Sequence, residues 1–96
     1  DGPTEKVMNS APVDAKMEAF GFNVITIDGH DYDQIEGAFN AFRACTGKPT
    51  AILMHTTKGK GVDFMEKVIG WHAGSLNQED FQQALKDLAK NYGKEA

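Results

Sequence analysis

Apolar positions change their spacing along this chain, and each change marks an element. Val13, Met17 and Phe20 recur four and three residues apart behind Pro12. This predicts a short helix with Pro12 in its first turn, where a missing N–H costs nothing, and Gly21 as its stop. Phe22 to Ile27 is β-branched and almost continuously apolar, the pattern of a strand covered on both faces, as in parallel sheets. Asp31 then caps a second helix with Gln34 in capping-box position, and its apolar face is Ile35, Ala38, Phe39, Phe42 and Cys45. Gly47 and Pro49 end that helix, and Thr50 to Thr56 reads as a second buried strand. Strand, helix, strand with a crossover of about twenty residues is a βαβ unit, right-handed in nearly all cases.

Residues 57–76 break the rhythm. Four glycines and no sustained period imply a loop longer than the ~12–15 residues at which structureless loops become uncommon, and such loops are usually functional or disordered. Val62, Phe64, Met65, Val68, Ile69 and Trp71 make it too apolar for a disordered linker, so it is expected to pack. Asn77 caps a last helix, with Asp80 at its third position and a Leu76 to Phe81 staple. Phe81, Leu85, Leu88 and Tyr92 form its expected buried face, and Gly93 ends it. Residues 1–11 read as a lead-in. Two doubly covered strands cannot make a stable sheet by themselves. The fold class is therefore α/β: a partial doubly wound parallel sheet in the order helix, strand, helix, strand, long loop, helix. The whole of 1–96 is one partial domain, with a 1–11 lead-in, a 12–56 αβαβ unit, a 57–76 functional loop and a 77–93 helix.

Composition narrows the function. Ninety-six residues with 41% hydrophobic and 25% charged positions fit a globular domain of marginal size. A net charge of −4 opposes nucleic-acid binding, and no apolar run approaches the ~20 residues of a membrane span. The single Cys45 cannot form an intrachain disulfide and fits a reducing compartment, so the cytoplasm is expected.

Ligands of open α/β sheets bind at the carboxyl ends of the strands, which directs attention to the segments after Ile27 and Thr56. Lys58-Gly59-Lys60-Gly61 sets cations between glycines, so backbone N–H groups can approach an anion; the alternative is a solvated turn. It is neither a Walker loop nor a GxGxxG fingerprint. His72, beside Trp71 and before Ala73-Gly74, can donate to a phosphate or move a proton near neutral pH, or can bond a loop carbonyl structurally. Trp71 reads as a core anchor and His30 as part of a turn and cap, while His55 is open between crevice and sheet. The three histidines lack metal-ligand spacing, so no metal site is proposed.

Four blocks, in this order and at these spacings, closely resemble transketolase. They are Phe20-Gly21-Phe22-Asn23-Val24-Ile25 through Ile27-Asp28-Gly29-His30-Asp31; Gly47-Lys48-Pro49-Thr50; Lys58-Gly59-Lys60-Gly61-Val62-Asp63-Phe64-Met65-Glu66; and Gly70-Trp71-His72. The match is to the last third of the N-terminal thiamine-diphosphate-binding domain, in the form often encoded as a separate N-terminal subunit. The resemblance implies a transferase of the pentose phosphate pathway that moves a two-carbon ketol unit between sugar phosphates, with thiamine diphosphate as electron sink. It assigns His72 to cofactor diphosphate and donor substrate, with a part in proton transfer, and places Gly59, Lys60 and Gly61 along the same cavity. The family's magnesium and diphosphate motif and its pyrimidine-binding half are not among these residues. Magnesium and most of the cofactor are therefore expected on other segments, in a homo- or hetero-oligomer with the remaining transketolase domains or subunit, and the isolated chain is expected to be inactive. Lys67 and Ala73 depart from the family's usual Asn and Gly. The competing readings are a non-catalytic α/β interaction module and, less well matched, a deoxyxylulose-phosphate synthase.

Overall fold

The computed structural model describes residues 2–93; Asp1 of the lead-in and positions 94–96 of the expected domain lie outside the described residues. Elements follow in the order α1 (Thr4–Val7), α2 (Val13–Ala19), β1 (Asn23–Asp28), α3 (Tyr32–Ala44), β2 (Thr50–His55), a 3₁₀ turn (Ile69–His72) and α4 (Gln78–Tyr92). The chain divides after Thr56 into two units, at the point where the sequence rhythm breaks.

The first unit is the βαβ arrangement. Strands β1 and β2 pair in parallel from Asn23 opposite Thr50 to Asp28 opposite His55. Helices α2 and α3 both pack on β1. Asp31 caps α3 by accepting from the N–H groups of Asp33 and Gln34 at 3.0 and 3.2 Å. Gln34 differs from an ordinary capping box. Its amide oxygen accepts from the Asp28 N–H at 2.8 Å and its Nε2 donates to Asp31 Oδ2 at 3.1 Å, so it ties the helix start to the end of β1.

Three expectations are corrected in this unit. The lead-in contains a one-turn helix, α1, with Lys6 and Val7 donating to the Pro3 carbonyl. Helix α2 starts at Val13, with Pro12 one position earlier as its N-cap, and buries none of its residues; Phe20, expected on its apolar stripe, lies at the C-cap and is 80% exposed. The strands, expected to be covered on both faces, are half-buried or exposed except at Ile27. The reason is numerical: among the described residues the sheet has two strands, and both α2 and α3 pack on β1, so Met54 and His55 stay exposed.

The second unit is the loop with α4. Asn77 Oδ1 caps α4 by accepting from the Asp80 N–H at 2.7 Å, and Gly93 closes it in the left-handed conformation. The buried positions of α4 are Ala84 and Asp87; Phe81, Leu88 and Tyr92 are exposed by 38% or more and Leu85 is half-buried. The inward face is thus rotated from the apolar stripe, because the loop opposite it offers backbone polar groups that need partners.

Candidate functional site

The loop after Thr56 is a run of turns rather than a structureless span. Lys60 N–H donates to the Thr57 carbonyl at 3.2 Å, Val62 to Gly59 at 3.0 Å, and Met65 to Val62 at 2.9 Å. Gly59 and Gly61 have φ of +77° and +97°. A Cβ on Gly59 would fall 2.7 Å from the Met65 carbonyl carbon, and one on Gly61 2.6 Å from the Tyr92 ring, so both glycines permit a left-handed turn pressed against neighbours. The Gly61 N–H is taken by Glu66 Oε1 at 3.0 Å and its carbonyl by Asn91 Nδ2 at 2.8 Å. Two N–H groups of the Lys-Gly-Lys-Gly segment, those of Lys60 and Gly61, are therefore engaged inside the loop, and its charge is carried outward by the exposed lysine side chains.

Further along, Phe64 and Trp71 meet edge to face, with centroids 5.4 Å apart and ring planes at 61°. Gly74 allows close approach to the same indole: an added Cβ would lie 2.7 Å from its Cε3. Trp71 therefore anchors the loop, in agreement with its reading as a packing residue. The 3₁₀ turn it belongs to presents His72 to solvent.

His72 and Lys58, fourteen residues apart, are brought together: Lys58 Nζ lies 2.9 Å from His72 Nδ1. An ammonium has only hydrogens to give, so in this contact Nδ1 takes the acceptor role and Nε2 is left on the open side of the ring. The pair offers an exposed ammonium and an N–H donor from the second ring nitrogen, suited to an anionic group. Residues 58–76 hold three lysines against two acids, net +1, in a chain of net −4. His30 and His55 lie in the first unit. His30 N–H closes a turn on Asp28 Oδ1 at 2.9 Å, and His55 ends β2 with its carbonyl accepting from Gly29. Among the described residues no group of three His, Cys, Asp or Glu is arranged to hold a metal ion.

Sequence reasoning missed the polar side of α4. Asp63 accepts from Lys90 and from Asn91 Nδ2 at 2.8 Å, and these hydrogen bonds hold its carboxyl below the usual carboxylate range; the same bond and the Asp63 charge raise Lys90 above the ordinary lysine value. The signal was a polar pair at positions 87 and 91, one helical turn apart and adjoining the apolar stripe.

A family model described as the transketolase, thiamine diphosphate binding domain matches residues 1–95. The chain belongs to this family. Its resemblance to transketolase, carried by the four sequence blocks, is shown by that match and by the curated relatives. The 6-deoxy-6-sulfo-D-fructose transketolase subunit SqwG of Clostridium sp. (strain MSTE9) is 38% identical over 90 residues, 94% of this chain and 33% of its own length. One of the subunits of the apulose-4-phosphate transketolase of Phocaeicola vulgatus is 32% identical over 93 residues, 97% of this chain and 33% of its own length. Transketolase-like protein 2 of Homo sapiens is 39% identical over 69 residues, 72% of this chain and 11% of the human protein. The chain spans about a third of the length of the two bacterial transketolase subunits. A lysine and histidine pair on a transketolase-family loop carries the donors and positive charge that a diphosphate group requires.

Proposed function

We propose that this chain forms part of a transketolase-type enzyme that transfers a two-carbon ketol unit between sugar phosphates. In this reading it supplies His72 and a stretch of pocket wall. The observation that carries the proposal is the 2.9 Å contact from Lys58 Nζ to His72 Nδ1, which joins two of the family blocks and leaves the Nε2 proton of the histidine to face a ligand. When bound, thiamine diphosphate supplies the electron sink for breaking and making the carbon–carbon bond beside a ketose carbonyl. His72 donates from Nε2 to an anionic oxygen and holds or returns a proton there. Lys58 fixes the tautomer of the ring, and Gly59, Lys60 and Gly61 border the same cavity, with Lys60 adding positive charge. Magnesium is held by other segments, a second subunit completes the cofactor site, and the enzyme serves pentose phosphate interconversion in the cytoplasm.

The test is steady-state turnover of the assembled enzyme at saturating cofactor. His72→Ala lowers kcat for ketol transfer by about 100-fold or more, the scale of a lost general acid–base group. Turnover within about twofold of the parent would sink the assignment.

A non-catalytic interaction module is the second reading, favoured by the exposed aromatic side chains of α3, Phe39 and Phe42. Metal-dependent binding of thiamine diphosphate by the isolated chain, measured by calorimetry, would contradict both this second reading and the expectation that the rest of the cofactor pocket lies on other segments.

A further inference from the structure

Helix α4 meets the loop with side chains matched to the loop's own backbone. Asp87 is only 5% exposed. Its Oδ2 accepts from the Asp63 N–H at 3.0 Å and its Oδ1 from Gln83 Nε2 at 2.9 Å, so both oxygens are occupied from two directions. One turn later Asn91 Nδ2 reaches the Gly61 carbonyl and Asp63 Oδ1, both at 2.8 Å. An amide nitrogen has two hydrogens. Both are used, and both go to the turn that follows Lys58 and Lys60. Glu66 holds the N–H of Gly61 from the loop side at 3.0 Å, so both polar backbone atoms of that residue are fixed.

From this geometry we infer that Asp87 and Asn91 are positioning residues for the cofactor-facing end of the loop. In this role they act through the loop rather than on the ligand. They pin Gly61 and Asp63 to α4, and through the short chain between them they set where Lys58 and Lys60 stand. The inference rests on the reading of this loop as the border of an anionic cofactor site. It adds that α4, acting through the loop, sets the affinity of that site.

The experiment compares Asn91 variants in the assembled enzyme by deuterium uptake of residues 57–66 without cofactor, and by KM for thiamine diphosphate and kcat with it. Asn91→Ala speeds uptake in that segment and raises the KM, each about tenfold, with kcat at saturation within about twofold. Asn91→Asp, equal in shape but without N–H donors, sets a carboxylate against a carbonyl and a second carboxylate and does worse than alanine. Asn91→Gln recovers part of the loss. A packing role alone would give the opposite order, with the isosteric aspartate mildest. Should Asn91→Ala fail to assemble, Asp87→Asn takes its place and speeds uptake in the same segment. Gln82→Ala, on the exposed side of α4, matches the parent. Unchanged uptake in the Asn91 or Asp87 variants, or an aspartate variant that behaves like the parent, overturns the inference. A loosened segment with unmoved KM also overturns it, and leaves the assignment of activity to be judged by His72→Ala.

Discussion

The two units of this chain solve the same problem by different means. In the first, up to Thr56, the β1–β2 ladder and the turns of α3 account for most of the order, and side chains bond the backbone between near neighbours in sequence, at the Asp31–Gln34 cap, the Asp28–His30 turn and the segment before α2. In the second, from Thr57 onward, the loop backbone closes short turns on itself and is held in addition by side chains distant in sequence, with Glu66 and Asn91 on Gly61 and Asp87 on the Asp63 N–H. Repeating structure needs no particular side chain to complete its hydrogen bonds, whereas an irregular turn needs a partner for each exposed polar group. The loop unit should therefore be the more sensitive to single substitutions.

The sharpest way to break that contrast is Gly59→Ala. The left-handed conformation costs a Cβ about 1–2 kcal/mol, and contact with the Met65 backbone adds overpacking of similar size. The expected loss is about 3 kcal/mol, read as denaturant midpoint or as faster exchange of residues 57–66. A near-neutral result would mean that the turn rearranges freely and that the contrast is false. In the first unit Asp31→Ala removes the acceptor for the Asp33 and Gln34 N–H groups and should cost about 1 kcal/mol. Its effect is confined to the start of α3. Spread of exchange into the whole strand pair would show that the ladder depends on this one cap.

What could be read in the sequence follows the same division. Asp31 with Gln34, Asn77 with Asp80, and the two strands were legible because caps and strand periods are local patterns. The inward face of α4 was not, since apolar spacing selected Phe81, Leu85, Leu88 and Tyr92 while the loop required Asp87 and Asn91. The full cover expected for the strands also failed, because an apolar run reports what a strand would bury beside neighbours and not which neighbours are present. For the candidate site, His72 was visible as a residue, but its contact with Lys58 depends on fourteen residues of turn geometry that no period encodes. Lys67 is a further product of that geometry, a non-glycine residue at φ +59°. Lys67→Gly should stabilise the loop unit by about 0.5 kcal/mol, the relief of left-handed strain less the added entropy of glycine in the unfolded chain. A fall in melting temperature would show that the lysine side chain contributes more than its backbone strain costs.

The smallest expected effect tests how much of the loop's hold is ionic. Hydrogen bonding to Lys90 lowers the Asp63 pKa, so the contribution of this group is complete above its unfolded value and is lost as pH falls through the folded one. Lys90 is raised by the same contact, so its contribution is complete below the unfolded lysine value and is lost as pH rises through the folded one. Between those limits the pair should give a flat plateau, and exchange of residues 57–66 should accelerate at both the acid and the alkaline end. The side chains are 62% and 51% exposed for Lys90 and Asp63, so water and salt screen the attraction and the amplitude should be slight. Lys90→Met should remove the alkaline limb and reduce the acid one, since Asn91 still donates to Asp63. Added salt should mimic that variant within the plateau. If acidification instead tightened the segment, the Asp63 carboxylate could not be part of what holds it, and the hold of α4 on the loop would rest on the Asn91 bond to the Gly61 carbonyl and on the buried Asp87 alone.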